Sequence, residues 1–265
     1  MVRASNLVFG ANGRQLLNGI TAEFGPGRLH LIMGANGAGK STLIKLLSRL
    51  LRPASGHVTY DDIDIGQFTD RELARRRAVL SQAVEVAFSM PVHELVMMGR
   101  YPHFSGRPGA TDEQVCREVI EFFDVANMAD RSYGTLSGGE KQRVHFARVL
   151  AQIWRPVPAA GSHSGTRYLL LDEPLTFLDI RHQLDFMNKI RQFASQPDVV
   201  VIGVVHDLNL AARYADRLIL LQHGSILADG RTDEVLTAER LDQAFGVMPV
   251  LLMNPKDGRL HLSFE

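Results

Sequence analysis

Residues 34–41 read Gly-Ala-Asn-Gly-Ala-Gly-Lys-Ser, a full match to G-x-x-x-x-G-K-[ST], the loop that wraps nucleotide phosphates. No other stretch constrains the fold as strongly, because this loop works only between a buried strand and a helix. Leu29-His30-Leu31-Ile32-Met33 supplies the strand signal before it, and Thr42-Leu43-Ile44-Lys45-Leu46-Leu47 supplies the helix signal after it. Glycine lets the backbone close round an anion without side-chain clashes. The loop N–H groups and the helix N-terminus then offer donors and positive potential. Gly34, Ala35, Asn36, Gly37, Ala38, Gly39, Lys40, Ser41 and Thr42 are therefore the candidate nucleotide contacts. Lys40 suits the β- and γ-phosphates, and the Ser41 hydroxyl suits Mg²⁺. A glycine-rich turn without a ligand is the bland alternative, and the complete match in its proper context disfavours it.

The loop alone selects no function, since kinases, GTPases, helicases and transporters share it. Leu136-Ser137-Gly138-Gly139-Glu140 narrows the field. Ser137 and Glu140 form a capping box, so the spacing predicts a helix from here to about residue 153. Gly138 and Gly139 just inside that start leave its free N–H groups open to close approach. Taken alone, this pentapeptide favours an ordinary capped helix, and a third motif tips the balance. Arg167 to Leu171 is an apolar run ending in Asp172-Glu173-Pro174, the pattern of a strand buried on both faces with acids at its C-terminal end. Ligands of α/β sheets bind at that end. Asp172 suits the Mg²⁺ shell through water, and Glu173 suits a general base for the attacking water. Val199 to Val205 reads as a further buried strand ending at His206-Asp207, which makes His206 a candidate γ-phosphate contact.

Taken together, these motifs resemble those of the ATP-binding cassette family over essentially the whole chain. The phosphate loop, Gln82, Ser137 to Glu140, Asp172-Glu173, Asp179 and His206 occur in the family's order. The resemblance implies an α/β fold: a phosphate-loop ATPase core with an antiparallel β subdomain and an inserted helical subdomain. It implies a single cassette over 1–265, with 1–82 and 151–265 forming the core and 83–150 the helical part that meets a permease. It implies a head-to-tail homodimer, each ATP lying between the phosphate loop of one copy and Ser137, Gly138, Gly139, Glu140 and Asp179 of the other. Gln82 then contacts Mg²⁺ and water beside Ser41 and Asp172, and catalysis falls to Glu173, His206 and Gln82. Phe9 matches the family's adenine-stacking aromatic, although as a residue type it fits a core strand equally. Leu175 and Phe177 depart from the residues common after Asp-Glu-Pro, and neither departure removes a reacting group.

Composition is consistent with that reading. Lys and Arg number 29 and Asp and Glu 29, so bulk charge gives no attraction to nucleic acid. The single cysteine, Cys116, excludes an internal disulfide and fits a reducing compartment. The opening residues read as a strand and not as a signal peptide. No apolar run approaches the roughly 20 residues of a membrane span, so an integral-membrane permease would be a separate polypeptide. The resemblance to cassettes that meet a permease implies a peripheral location on the cytoplasmic face of the inner membrane.

Within the insert, Val92 to Arg100 reads as a helix, and Thr111 opens another with a capping box of its own. Val115, Val119, Phe122 and Phe123 give that helix an apolar face. Thr69 to Arg77 reads as a helix with a solvated arginine face, and 155–166 as an exposed loop. Two hairpins, Arg217 to Ala228 and Val250 to Phe264, bracket a helix over Asp233 to Phe245. The absence of heptad arrays counts against DNA-maintenance cassettes. Val92 to His103 resembles the insert of importers for haem, ferric siderophores and cobalamin. The lead-in to Leu136 and the 155–166 loop resemble the haem branch, which implies haem as cargo delivered through a periplasmic binding protein. The alternatives are a siderophore or cobalamin importer, and a soluble cassette acting outside transport.

Overall fold

The computed structural model describes residues 1–81, 90–155, 165–176, 178–253 and 258–264. Three strands form the heart of a six-stranded sheet: β3 (Arg28–Gly34), β7 (Arg167–Asp172) and β8 (Val199–Val204). Every residue of β7 and β8 is buried. Side chains alternate across a strand, and here both faces find a core. Val199 and Val201 face one cluster, while Val200, Ile202 and Val204 face the other. That is why these strands are continuous apolar runs with no polar alternation.

The antiparallel sheet uses the earlier strands, in the order β2 (Arg14–Phe24), β1 (Val2–Ala11), β4 (Ser55–Tyr60), β5 (Ile63–Asp64). Its buried side chains join those of α1 (Lys40–Leu47) and one face of the central sheet in a single cluster. The opposite face of the central sheet is covered by α3 (Val92–Met97), α4 (Ala110–Phe122), α5 (Gly138–Ile153) and α6 (Ile180–Ala194). Around these run α2 (Asp70–Arg76), β6 (Arg77–Leu80), α7 (Leu208–Tyr214), β9 (Arg217–Gln222) and β10 (Ser225–Gly230). The tail adds α8 (Thr232–Val235), α9 (Ala238–Phe245) and the pair β11 (Val250–Met253) and β12 (Leu260–Ser263).

Strand order in the central sheet is β10-β9-β3-β8-β7-β6, parallel throughout except for β10 on the edge. β8 lies between β3 and β7, so the loops after these three strands open side by side at one end of the sheet. That end is where such sheets bind ligands.

Several local expectations need correction. The helix expected from Thr111 begins at Ala110, with Gly109 before it and Asp112 accepting the Gly109 N–H at 3.0 Å. Asp112 also pairs with Arg100 at 3.0 Å in a buried contact, which draws it inward from the exposed first turn. The Asp233 to Phe245 helix is two helices, because Thr237 accepts the Arg240 N–H and starts a second one. Arg71 keeps to the exposed face expected of it, but Arg75 is half-buried, and both donate to the Pro102 carbonyl, at 3.1 and 2.8 Å. Most of the 155–166 loop lies outside the described residues. Of its described ends, Arg155 pairs with Glu118 and Thr166 is buried, so neither is the open loop residue expected.

Candidate functional site

The phosphate loop leaves β3 at Gly34, where backbone and neighbours forbid any other residue. Its φ is +151°, and a Cβ would stand 2.3 Å from the Leu221 carbonyl oxygen of β9. Gly39 closes the loop at φ +102°, where a Cβ would meet Leu17 of β2 at 2.5 Å. The loop is thus clamped between the two sheets. Leu17 lies opposite Phe9 in the β1–β2 ladder, which sets the half-buried Phe9 ring one strand from the phosphate loop. Phe9 also packs against the core, as its reading as a strand residue expects.

Lys40 is buried, and its ammonium donates to the carbonyls of Gly34 at 2.9 Å and Ala35 at 3.0 Å. Burial lowers its pKa, against the opposing pull of Glu173 and Asp172. The Ser41 hydroxyl donates to Asp172 Oδ1 at 2.8 Å, across 131 residues of sequence. Burial raises the Asp172 pKa. The Ser41 hydrogen bond opposes that shift, and the Glu173 charge adds to it. His206 Nε2 stands 2.7 Å from Glu173 Oε1, bridging the ends of β8 and β7. Lysine, two carboxylates, a hydroxyl and an imidazole therefore meet at the mouth of the loop. A cleft of about 240 Å³ opens beside them, lined in part by Glu173, Thr176, Gln183 and His206. A larger cleft bordered by Arg49, Arg52 and His57 contains none of the motif residues.

The donor set suits a hard divalent cation. A hydroxyl and a carboxylate held within hydrogen-bond reach are the oxygen pair that Mg²⁺ takes beside phosphates. Ser41 and Asp172 fit that group; Gln82 lies outside the described residues.

Ser137 to Glu140 stand apart. The Glu140 N–H donates to Ser137 Oγ at 3.4 Å and the Ser137 N–H to Glu140 Oε2 at 2.8 Å, so the capping box is closed within the chain. A Cβ on Gly138 or Gly139 would meet open space. No hydrogen bond or ion pair among the described residues joins this helix start to residues 34–42. Asp179 caps α6 through the His182 N–H at 2.9 Å and also faces His182 Nδ1 at 2.8 Å. Neither group enters the Lys40–Asp172–Glu173–His206 cluster. Phe177 lies outside the described residues.

Sequence reasoning missed the groups that hold the loop after β7. Thr176 donates to the Glu173 carbonyl, Gln142 to the Pro174 carbonyl and Gln183 to those of Leu175 and Leu178. It also missed Tyr133, whose hydroxyl shares a 2.7 Å hydrogen bond with buried His145 beneath the Ser137 helix start. Only the nearness of Gln142 and Tyr133 to the Ser137 motif could have pointed to them.

Comparison with known proteins agrees with this geometry. A family model described as ABC transporter matches residues 17–176. A hemin import ATP-binding protein HmuV from Gloeobacter violaceus is 45% identical over 97% of this chain and 92% of its own length. A protein of the same name from Bordetella pertussis is 42% identical over 98% of this chain and 97% of its own. The cassette of a metal-chelate-type ABC transporter in an inward-facing conformation superposes with a TM-score of 0.81 at 23% identity, over 100% of this chain and 96% of that one. The chain belongs to the ATP-binding cassette family and is an ATP hydrolase coupled to transport. Importer cassettes of this family act in pairs with a membrane permease and use ATP with Mg²⁺. No helix among the described residues is long and apolar enough to cross a membrane.

Proposed function

We propose that this cassette is the ATP-hydrolysing subunit of a hemin importer, acting as a homodimer beneath a two-copy permease at the cytoplasmic face of the inner membrane. The observation that carries the reading is the joining of Ser41 to Asp172 and of Glu173 to His206 at neighbouring strand ends. The name shared by full-length relatives at about 40% identity supports hemin as cargo.

On this reading Lys40 exchanges the Gly34 and Ala35 carbonyls for the β- and γ-phosphates, and the loop N–H groups hold the rest of the chain of phosphates. Ser41 and Asp172, with Gln82, would hold Mg²⁺, which would supply positive charge to neutralise the phosphate oxygens. Glu173 accepts the proton of the attacking water. His206 holds the Glu173 carboxylate in place and presents its ring to the γ-phosphate. Phe9 stacks on adenine. Ser137, Gly138, Gly139, Glu140 and Asp179 act on the ATP of the opposite copy, which accounts for their separation from the Lys40 cluster. Residues 1–82 and 151–265 serve as the core, and 83–150 as the helical subdomain that meets the permease. A periplasmic haem-binding protein delivers cargo to the far side.

The test is reconstitution of cassette, permease and binding protein in liposomes, with hemin, a ferric siderophore or cobalamin outside. ATP-dependent accumulation of hemin supports the reading. Accumulation of a ferric siderophore or cobalamin in its place would correct the cargo and leave the importer standing. Failure of all three, with no membrane partner co-purifying, would favour a soluble cassette.

A further inference from the structure

The loop after β7 is bent against its own preferences. Glu173 has φ +52°, in the left-handed region that a residue with a Cβ rarely occupies. Such a conformation persists only where the surroundings over-determine it. Thr176 Oγ1 donates to the Glu173 carbonyl at 3.0 Å. Gln183, in the first turn of α6, donates to the carbonyls of Leu175 at 3.3 Å and Leu178 at 3.1 Å. Both belong to the loop or to the helix that follows it. A tie to the loop backbone from elsewhere in the fold is Gln142, whose Nε2 donates to the Pro174 carbonyl at 3.1 Å. Pro174 has no N–H to offer, so its carbonyl is the backbone group by which this point of the loop can be gripped.

Gln142 lies on α5, one turn beyond Gly138, or about 6 Å along the helix axis. The start of α5 carries Ser137 to Glu140. One rigid helix thus connects the segment assigned to the ATP of the opposite copy with the backbone that aims Glu173 at the chain's own ATP.

We propose that Gln142 is a positioning residue that couples the two ATP sites through a single chain. When the α5 start closes on one ATP, Gln142 carries the Pro174 carbonyl with it, and the strained Glu173 backbone seats its carboxylate for the other ATP. This rests on the head-to-tail pairing and the base role of Glu173 proposed above. Side-chain placement on this scale affects turnover, because a misplacement of about 1 Å can lower a rate by roughly a hundredfold.

Mixed dimers assembled from differently tagged chains test it. The reference pairs a Glu173→Gln chain with an unaltered chain, so one site turns over. In the first arrangement Gln142→Met sits in the chain that keeps Glu173. In the second it sits in the chain that carries Glu173→Gln. Met matches the length of Gln and removes the donor. Gln142→Glu, which turns an acceptor toward the Pro174 carbonyl, is the second variant should Met perturb folding. The expected result is a kcat about tenfold or more below the reference in the first arrangement, with KM for ATP within about twofold, and a kcat within about twofold of the reference in the second. Loss confined to the second arrangement would place the action of Gln142 at the Ser137 segment and overturn the proposal. Equal loss in both, or none in the first, would overturn it as well. A reference dimer as fast as the unaltered homodimer is a different result: it would remove Glu173 from the base role and take the underlying reading down with the proposal.

Discussion

Acidification from pH 7 to pH 5 should cost this protein about 2 kcal/mol of folding stability through one side chain, His145. The ring is buried under the start of α5, with its edge against Tyr133 and its Nε2 in the 2.7 Å contact with the Tyr133 hydroxyl. Its Nδ1 is buried and has no hydrogen-bond partner among the described residues. Burial lowers its pKa from 6.5 to about 4, and the nearby Arg148 charge pushes the same way. The folded value lies below the unfolded one. The neutral ring's contribution is therefore full above pH 6.5 and is lost as pH falls from there to about 4. At pH 5 the unfolded chain binds the proton almost completely and the folded chain hardly at all, which gives the figure of about 2 kcal/mol, rising to about 3 kcal/mol below pH 4. His103, bound to the Gln152 carbonyl and lowered to about 4 chiefly by burial, adds a loss of the same sign. Urea unfolding of the unaltered protein and of His145→Gln at both pH values isolates His145, since the His103 contribution cancels. Gln can still meet the Tyr133 hydroxyl, so the two proteins should have similar m-values at pH 7. The variant should lose about 2 kcal/mol less on going to pH 5. Equal losses in the two proteins would show that His145 is not held neutral by burial, and the reasoning would fail.

Glu173→Gln should retain ATP binding and lower hydrolysis by roughly 10²–10⁴-fold, the usual worth of a general base, measured by single-turnover phosphate release; near-normal turnover would end its assignment. Asp172→Asn should raise the melting temperature of the nucleotide-free protein near pH 7 while abolishing turnover. Its carboxyl pKa is raised by burial, so ionisation costs stability progressively as pH rises from the ordinary carboxylate range through the raised folded value, and the gain should vanish below that ordinary range. Gly99→Ala should destabilise by at least about 2 kcal/mol in urea, because the new Cβ would stand 2.1 Å from the Arg148 carbonyl oxygen of α5; an unchanged midpoint would mean that the 98–100 turn moves freely away from α5.

The parts of the site legible in the sequence are those whose chemistry is local. A phosphate cradle needs glycines at fixed offsets before a helix, and residues 34–41 carry them within one turn of chain. A strand buried on both faces must be apolar throughout, so β7 and β8 could be read from composition alone. What the chain does not spell out is strand order. Nothing near residue 206 says that β8 inserts between β3 and β7 and brings His206 to Glu173. That outcome depends on how the crossover helices pack. A second class of contact is hidden for a more general reason. Arg71 and Arg75 on the Pro102 carbonyl, and Gln142 on that of Pro174, all end on main-chain oxygens. Every residue has such an oxygen, so the acceptor leaves no mark in the sequence, and the donor looks like any surface polar side chain. An exposed helix face and a strut between two segments then have the same composition. The strut that α2 makes through Arg71 and Arg75 is hidden for that reason, and so is Gln142, although it meets a backbone segment whose positive-φ residue, Glu173, gives a side-chain donor reason to hold it.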